Sequence, residues 1–258
     1  MTFRQYPPVL LLPIVVESGF PCPCELLFSE STVLLTTPLT EHCVVPLLSG
    51  RHVCVGVSPF NSHFTVERIT ALARWAMREF ERFHFFVPDH AAVYTLEALG
   101  YEPGRAQRKA SRQGQYVVNK IFRALRDAGV LDPEEHLLDG ATLARNDSYR
   151  ELLRDAGTWF MTDDGFAADC LEATRWVLDR RLPFGQSPTD EQLHCAVRYF
   201  LAELPMFIDT PAIAGVDSSV FAYHQRVAFL ERLYARELAW QPNPAQGFVV
   251  LRSGDEVA

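Results

Sequence analysis

The sequence lacks a long unbroken hydrophobic run. Its apolar stretch Val9 to Val16 is interrupted by Pro13, follows a segment with one arginine and two prolines, and precedes no small-x-small cleavage pattern. It is too short to span a bilayer and reads as an N-terminal strand or arm, not a signal peptide. Internal repeats and low-complexity linkers are also lacking, so residues 1–258 are expected to form a single domain. Cysteine spacing excludes little but supports nothing special. Six cysteines are present, and the one close pair, Cys22 and Cys24, fits neither a CxxC redox motif nor a zinc knuckle. Reduced thiols, no metal site, no membrane association and a cytoplasmic setting are the expectation. Positive charge is in deficit: 24 Lys and Arg face 32 Asp and Glu, for a net charge of −8. A nucleic-acid partner therefore has to be argued from local charge.

What is present is a globular composition with alternating elements. His52 to Val57 is a short apolar run and reads as a buried strand. A helical pattern follows from Val66 to Phe83, with Ile69, Leu72, Ala73, Ala76 and Phe80 on one face. Phe83 to Val87 reads as a second strand ended by Pro88, and Ala91 to Leu99 as a short helix. Strand–helix–strand–helix order predicts an α/β fold, a Rossmann-like central parallel sheet flanked by helices. Further helices are expected over Gln115–Asp127, Ala167–Arg181, Asp190–Glu203 and Val220–Ala239, with Pro205 and Pro211 punctuating the chain after the third. Phe248 to Leu251 could add a last strand.

Seven cations lie between positions 105 and 126 with no acid among them: Arg105, Arg108, Lys109, Arg112, Lys120, Arg123 and Arg126. On one continuous helix all seven fall within roughly 60° of a single direction, although Gly114 could kink it. Solvated helix faces usually mix signs, because like charges one turn apart repel. A purely cationic face on an acidic chain points to a polyanion, while a plain solvated face remains compatible with the spacing. Spacing alone does not separate RNA from DNA or from an acidic protein.

Ser58 follows the first strand, where open α/β sheets place ligands, and Gly56 leaves space beside it for a substrate backbone. Phe60 stands where a GxSxG elbow would have its second glycine, so that motif is excluded, and for a lone serine after a strand a turn or helix cap is the more usual explanation. Tyr199 and Glu203 are four residues apart and share a helix face. The carboxylate could bind an ammonium or act as a base, and the phenol could donate or relay a proton. Packing would account for the pair equally well, as it would for Tyr223 and His224.

Taken in order, these segments resemble the cyclodipeptide synthase family. His52-Val-Cys-Val-Gly-Val-Ser58 is similar to its His-x-aliphatic-aliphatic-Gly-aliphatic-Ser motif, and Tyr199-Phe-Leu-Ala-Glu-Leu-Pro205 to its Tyr-aliphatic-x-x-Glu-aliphatic-Pro motif. Asn61, Tyr223 and His224 resemble the features of the subfamily named for those three residue types. Cys54 and Phe200 depart from aliphatic positions, which bears on pocket shape more than on chemistry.

The resemblance implies a fold similar to class I tyrosyl- and tryptophanyl-tRNA synthetase catalytic domains. It also implies an enzyme that joins the amino acids of two aminoacyl-tRNAs into a cyclic dipeptide, with no cofactor. Neither HIGH nor KMSKS occurs, as suits a protein receiving activated amino acids. By the same resemblance Ser58 is the nucleophile of a ping-pong reaction through aminoacyl- and dipeptidyl-enzymes. Tyr199 and Glu203 hold the α-ammonium, Tyr223 relays a proton, and Asn61 and His224 fix the loops around them. The first pocket is lined near Cys54, Gly56, Met206 and Phe221, favouring a hydrophobic first residue, and the basic helix binds tRNA. No obligate protein partner is implied. Two alternatives stay open: a synthetase-like module that only binds tRNA, and an α/β serine hydrolase.

Overall fold

A computed structural model describes residues 34–253. The apolar stretch at Val9–Val16 and the Cys22/Cys24 pair lie outside the described residues. In chain order the elements are β1 (Leu34–Pro38), α1 (Val44–Ser49), β2 (His52–Gly56), α2 (Val66–Glu79), β3 (Arg82–Phe86), α3 (Ala92–Ala98), α4 (Pro103–Asp127), β4 (Leu137–Leu138) and α5 (Gly140–Leu143). They continue with α6 (Asp147–Thr162), α7 (Asp164–Asp179), α8 (Asp190–Ile208), α9 (Thr210–Ala214), β5 (Ser219–Tyr223), α10 (Ala228–Tyr234) and β6 (Gln246–Ser253).

The six strands form one sheet in the order β1-β6-β5-β2-β3-β4. All neighbours pair in parallel except β1, which runs antiparallel to β6 and makes the sheet mixed instead of wholly parallel. From β2 the chain proceeds outward through β3 to β4, then returns to the other side of β2 for β5 and β6. The order therefore reverses between β2 and β5, and a crevice opens above the C-terminal ends of those two strands.

Alternation along the strands divides the interior. Val53, Val55, Phe83, Phe85, Val220 and Ala222 pack with α2 and α4 on one face. Cys54, Phe86, Phe221 and Phe248 pack with residues of α6, α7, α8 and α10 on the other. Helix starts follow local chemistry: Thr65 accepts from the Arg68 amide at α2, and Thr189 with Gln192 forms a reciprocal capping box at α8.

Several expectations need correction. Val220 to Ala239 is not one helix: its first residues form β5, and only α10 is helical. A short apolar run has no period of its own, and insertion between β2 and β6 decides the matter. The helix expected from Gln115 begins at Pro103, because proline suits a first helical turn, and it runs on through Gly114. Gly114 serves close packing: a Cβ there would lie 2.5 Å from the Asp89 Cβ. The α2 helix ends at Glu79, short of Phe83, and Phe80 is buried just beyond it. Pro205 lies inside α8, buried, and the helix continues to Ile208. Helix α6 was legible in no strong motif and is an addition. Among the described residues no helix is long and apolar enough to cross a membrane.

Candidate active site

Ser58 lies two residues beyond β2 and Tyr223 ends β5, so the strand reversal brings them together. Their hydroxyl oxygens are 2.9 Å apart. Among the described residues this phenol is the hydrogen-bond partner of the Ser58 Oγ, with no imidazole or carboxylate on it. Burial holds the Tyr223 phenol above its ordinary range, against the opposing pull of its bond to Ser58. Tyr223 is therefore a neutral phenol at neutral pH, able to donate or relay a proton but not to act as a strong base.

Asn61 and His224 brace this pair. The Asn61 side-chain amide donates to His224 Nε2 at 3.0 Å, while its Oδ1 accepts from the His63 amide at 3.0 Å. His224 also stacks on His63, with ring centroids 3.9 Å apart. Asn61 also lies near enough to Tyr223 to pull its phenol downward against the effect of burial. Between Ser58 and Asn61, Phe60 adopts a left-handed backbone at φ 61°, a conformation costing about 1–2 kcal/mol for a residue with a Cβ. Its ring packs with Tyr199 against a small cluster of Ala92, Val93, Leu96, Ala106 and Ala110.

Tyr199 and Glu203 enter from one face of α8 and line the same cavity as Ser58 and Tyr223, a space of about 310 Å³. Tyr199 and Glu203 lie close enough on this face for each to shift the ionisation of the other. Glu203 reaches solvent through that cavity while protein encloses it on the remaining sides. Burial pushes its carboxyl up to about 8, with Tyr199 pulling the other way. Desolvation also drives the Tyr199 phenol well upward, reinforced by the neighbouring carboxylate. Because desolvation outweighs the other influences on it, Glu203 favours its neutral form, and an arriving ammonium would shift it toward the carboxylate.

The hydrophobic wall differs from the expectation. Gly56 and Phe221 line the cavity, but Cys54 and Met206 are fully buried and do not. Cys54 is two residues deeper along β2, beside Phe221 in register, and is buried in the core cluster with Phe86 and Phe221. The room above Gly56 is already occupied: a Cβ there would sit 2.7 Å from Phe221 Cζ and 3.3 Å from Tyr223 Cδ2. Gly56 thus admits two rings of the site, where space for a substrate backbone was expected. Phe86, Phe207 and Phe248 complete the apolar wall.

Sequence reasoning missed Trp176, Arg180 and Arg181, which line the cavity from the end of α7. Arg180 stacks on Trp176, 3.6 Å from the ring centroid, and Arg181 adds positive charge felt by Tyr199 and Tyr223. Their spacing of one turn hinted at the stack, but only the packing of α7 on α8 places it at the cavity. The family-like motif also contains a residue far from the chemistry. His52, at the opposite end of β2, is fully buried and hydrogen-bonds Ser219 at 2.7 Å and His84 at 2.8 Å.

The basic stripe lies on α4 and divides in two. Arg105, Arg108, Lys109 and Arg112 line an open groove. Lys120 is turned inward onto the Phe64 carbonyl at 3.1 Å, and Arg123 and Arg126 face Asp127 at 3.9 Å and Glu134 at 3.5 Å. No group of three or more His, Cys, Asp or Glu side chains arranged to hold a metal ion occurs among the described residues.

Comparison with known proteins agrees with this geometry. The sequence model of the cyclodipeptide synthase family matches residues 34–253. A cyclo(L-tyrosyl-L-tyrosyl) synthase of Mycobacterium tuberculosis is 34% identical over 220 residues, covering 84% of this chain and 75% of the relative. A cyclo(L-leucyl-L-leucyl) synthase of Bacillus subtilis is 29% identical, covering 86% of this chain and 91% of its own. Among solved structures, a cyclodipeptide synthase from Bacillus thermoamylovorans superposes with a TM-score of 0.79 at 27% identity, over 86% of this chain and 97% of that one. A Mycobacterium tuberculosis structure that relates cyclodipeptide synthetases to type I tRNA synthetases has a TM-score of 0.75 at 33% identity, over 85% and 93%. Motif order, the strand reversal at Ser58 and these matches over nearly all the described residues agree: the chain belongs to the cyclodipeptide synthase family.

Proposed function

We propose that the protein makes a cyclic dipeptide from two aminoacyl-tRNAs through covalent intermediates on Ser58. The observation that carries the mechanism is the contact of 2.9 Å between Ser58 Oγ and the Tyr223 hydroxyl at the mouth of a cavity that also holds Glu203.

Ser58 Oγ attacks the carbonyl of the first aminoacyl ester; the bond to the tRNA ribose oxygen breaks, and that oxygen leaves with a proton. Tyr223 relays the proton given up by Ser58. The α-ammonium of the bound aminoacyl group pairs with Glu203, beside Tyr199 on the same face of α8. To react, that ammonium must lose a proton. Burial raises the Glu203 carboxyl, which makes it a better proton acceptor than an ordinary carboxylate and suits it to take that proton. The free amine attacks the ester carbonyl of the second aminoacyl-tRNA, expelling its tRNA and leaving a dipeptidyl-Ser58. The new terminal amine then attacks the Ser58 ester, closing the ring and returning a proton to Oγ through Tyr223. The balance is two aminoacyl-tRNAs to one cyclic dipeptide and two tRNAs, with no cofactor consumed.

Phe86, Phe207, Phe221 and Phe248 support an apolar or aromatic first amino acid, as do the tyrosyl and leucyl products named for the relatives. The groove on α4 supports tRNA contact through Arg105, Arg108, Lys109 and Arg112. The hydrolase alternative leaves the cationic groove on α4 unexplained. Brief exposure to radiolabelled aminoacyl-tRNA followed by intact-protein mass spectrometry is the test. An aminoacyl adduct mapped to Ser58 and a labelled cyclic dipeptide are expected; label on a cysteine, or bound tRNA without either product, would overturn the mechanism.

A further inference from the structure

The cations of α4 are held by different kinds of oxygen. Arg123 and Arg126 face carboxylates. The chain's two lysines, Lys109 and Lys120, both lie on this helix and both donate to neutral oxygens, the Tyr101 hydroxyl at 2.9 Å and the Phe64 carbonyl at 3.1 Å. A carboxylate fixes an ammonium and cancels its charge, whereas a phenol fixes it and leaves the charge in place.

Tyr101 is built into the fold just before α4. Its amide donates to the Leu96 carbonyl at 3.1 Å, after Gly100 turns the chain at φ 85°. Its ring packs on the apolar cluster shared with Phe60 and Tyr199, while its hydroxyl meets Lys109, one of the cations that line the groove. Lys109 Nζ lies 4.6 Å from the ring centroid and Arg105 Cζ 5.3 Å. These two cations are one helical turn apart and repel each other, and the electron-rich ring between them offsets that repulsion.

We propose that Tyr101 is a positioning residue for polyanion binding, holding Lys109 and Arg105 in the groove with their charge uncancelled and offering its own O–H to a substrate phosphate oxygen. Because its oxygen accepts from Lys109, the hydroxyl hydrogen is left for that donation. The Lys109 hydrogen bond also draws the phenol below its ordinary range, which makes it a stronger donor. This inference rests on the reading of the groove as the tRNA contact.

The experiment measures KM, kcat and tRNA binding across a salt series for Tyr101→Phe, Tyr101→Glu and Lys109→Met, with Arg108→Ala reporting on the groove itself and circular dichroism on the fold. Tyr101→Phe should raise KM about 5-fold without changing kcat or the salt slope, because no cation is lost. Tyr101→Glu should lose more affinity and flatten the slope by about one, because the ammonium stays fixed but is cancelled. Tyr101→Phe should cost less in the Lys109→Met background than alone. Wild-type KM in Tyr101→Phe, alongside weakened binding in Arg108→Ala, would overturn the role of Tyr101 and leave the groove intact. Wild-type affinity and slope in Arg108→Ala would remove the groove reading and this inference with it. A fall in kcat in Tyr101→Phe would instead assign the residue to packing beneath Tyr199.

Discussion

The two ends of β2 and β5 carry the same chemical pair in opposite order. At one end an aromatic ring on β2, His52, meets a serine on β5, Ser219, at 2.7 Å. At the other a serine after β2, Ser58, meets a ring on β5, Tyr223, at 2.9 Å. The first pair is sealed, with both residues fully buried and His84 taking the other ring nitrogen. The second opens into the cavity. A buried serine bonded to a ring is therefore not a nucleophile by composition. In the mechanism proposed for Ser58, access and the lack of competing partners are what fit a serine to attack, and parallel strands supply access only above their C-terminal ends.

The sharpest test of this contrast is Ser58→Ala, which should remove product and acyl-enzyme together, a loss on the order of 10³-fold or greater, with an unchanged melting temperature. Product formation and intact mass, measured side by side, check it.

Next in size is Glu203→Gln, expected to slow synthesis about 10²-fold because the amide keeps hydrogen bonding but loses both charge and proton acceptance. The same variant has a stability signature. Between about pH 4.3 and about 8 the unfolded chain has lost a proton that folded Glu203 keeps, so the wild type loses stability as pH rises through that window. Glu203→Gln should lack this decline; parallel melting curves that keep it would contradict a buried, proton-retaining carboxyl.

A parallel contrast runs along α4. Replacing Arg108, Lys109 and Arg112 by alanine should weaken tRNA binding about 10- to 100-fold at low salt and flatten its salt slope. Arg123→Ala with Arg126→Ala should do much less, since Asp127 and Glu134 already face those cations. Equal slopes for all three proteins would return the stripe to a solvated face.

A smaller activity effect is expected for Gly56→Ala. The added methyl, 2.7 Å from Phe221, must push the ring into the cavity, lowering kcat/KM about 10-fold by misplacing Tyr223 and the substrate wall.

Least visible in the reaction is the sealed end. His84→Leu should leave kcat unchanged while costing about 1–3 kcal/mol, because it strands the His52 Nε2 without a partner. Burial lowers His52 to about 3 and His84 to about 4, so the unfolded chain binds their protons first as pH falls from about 6.5. Wild-type stability should therefore be present above that value and decline toward about pH 4, as followed by denaturant melts.

Sequence by itself determined the elements whose periodicity is strong and local. The strand at His52 and the amphipathic helix at Val66 follow from side-chain spacing, and the seven cations share one face because α4 is continuous through Gly114. Two motifs far apart in the chain announced Ser58 and Glu203, 145 positions from each other, only through resemblance, for nothing local sets a serine apart from a turn residue. What tertiary structure alone decided was contact. Val220 to Tyr223 became a strand because β2 and β6 flank it, and Cys54 left the cavity wall because it is buried in the core cluster with Phe86 and Phe221. Charge followed the same division: the sequence placed seven cations in line, but folding tied Lys120 inward, paired Arg123 and Arg126 with acids, and left Lys109 on a phenol. Spacing along a chain sets which way a side chain points, while its partner, and hence its energy and its chemistry, comes from segments far away in sequence.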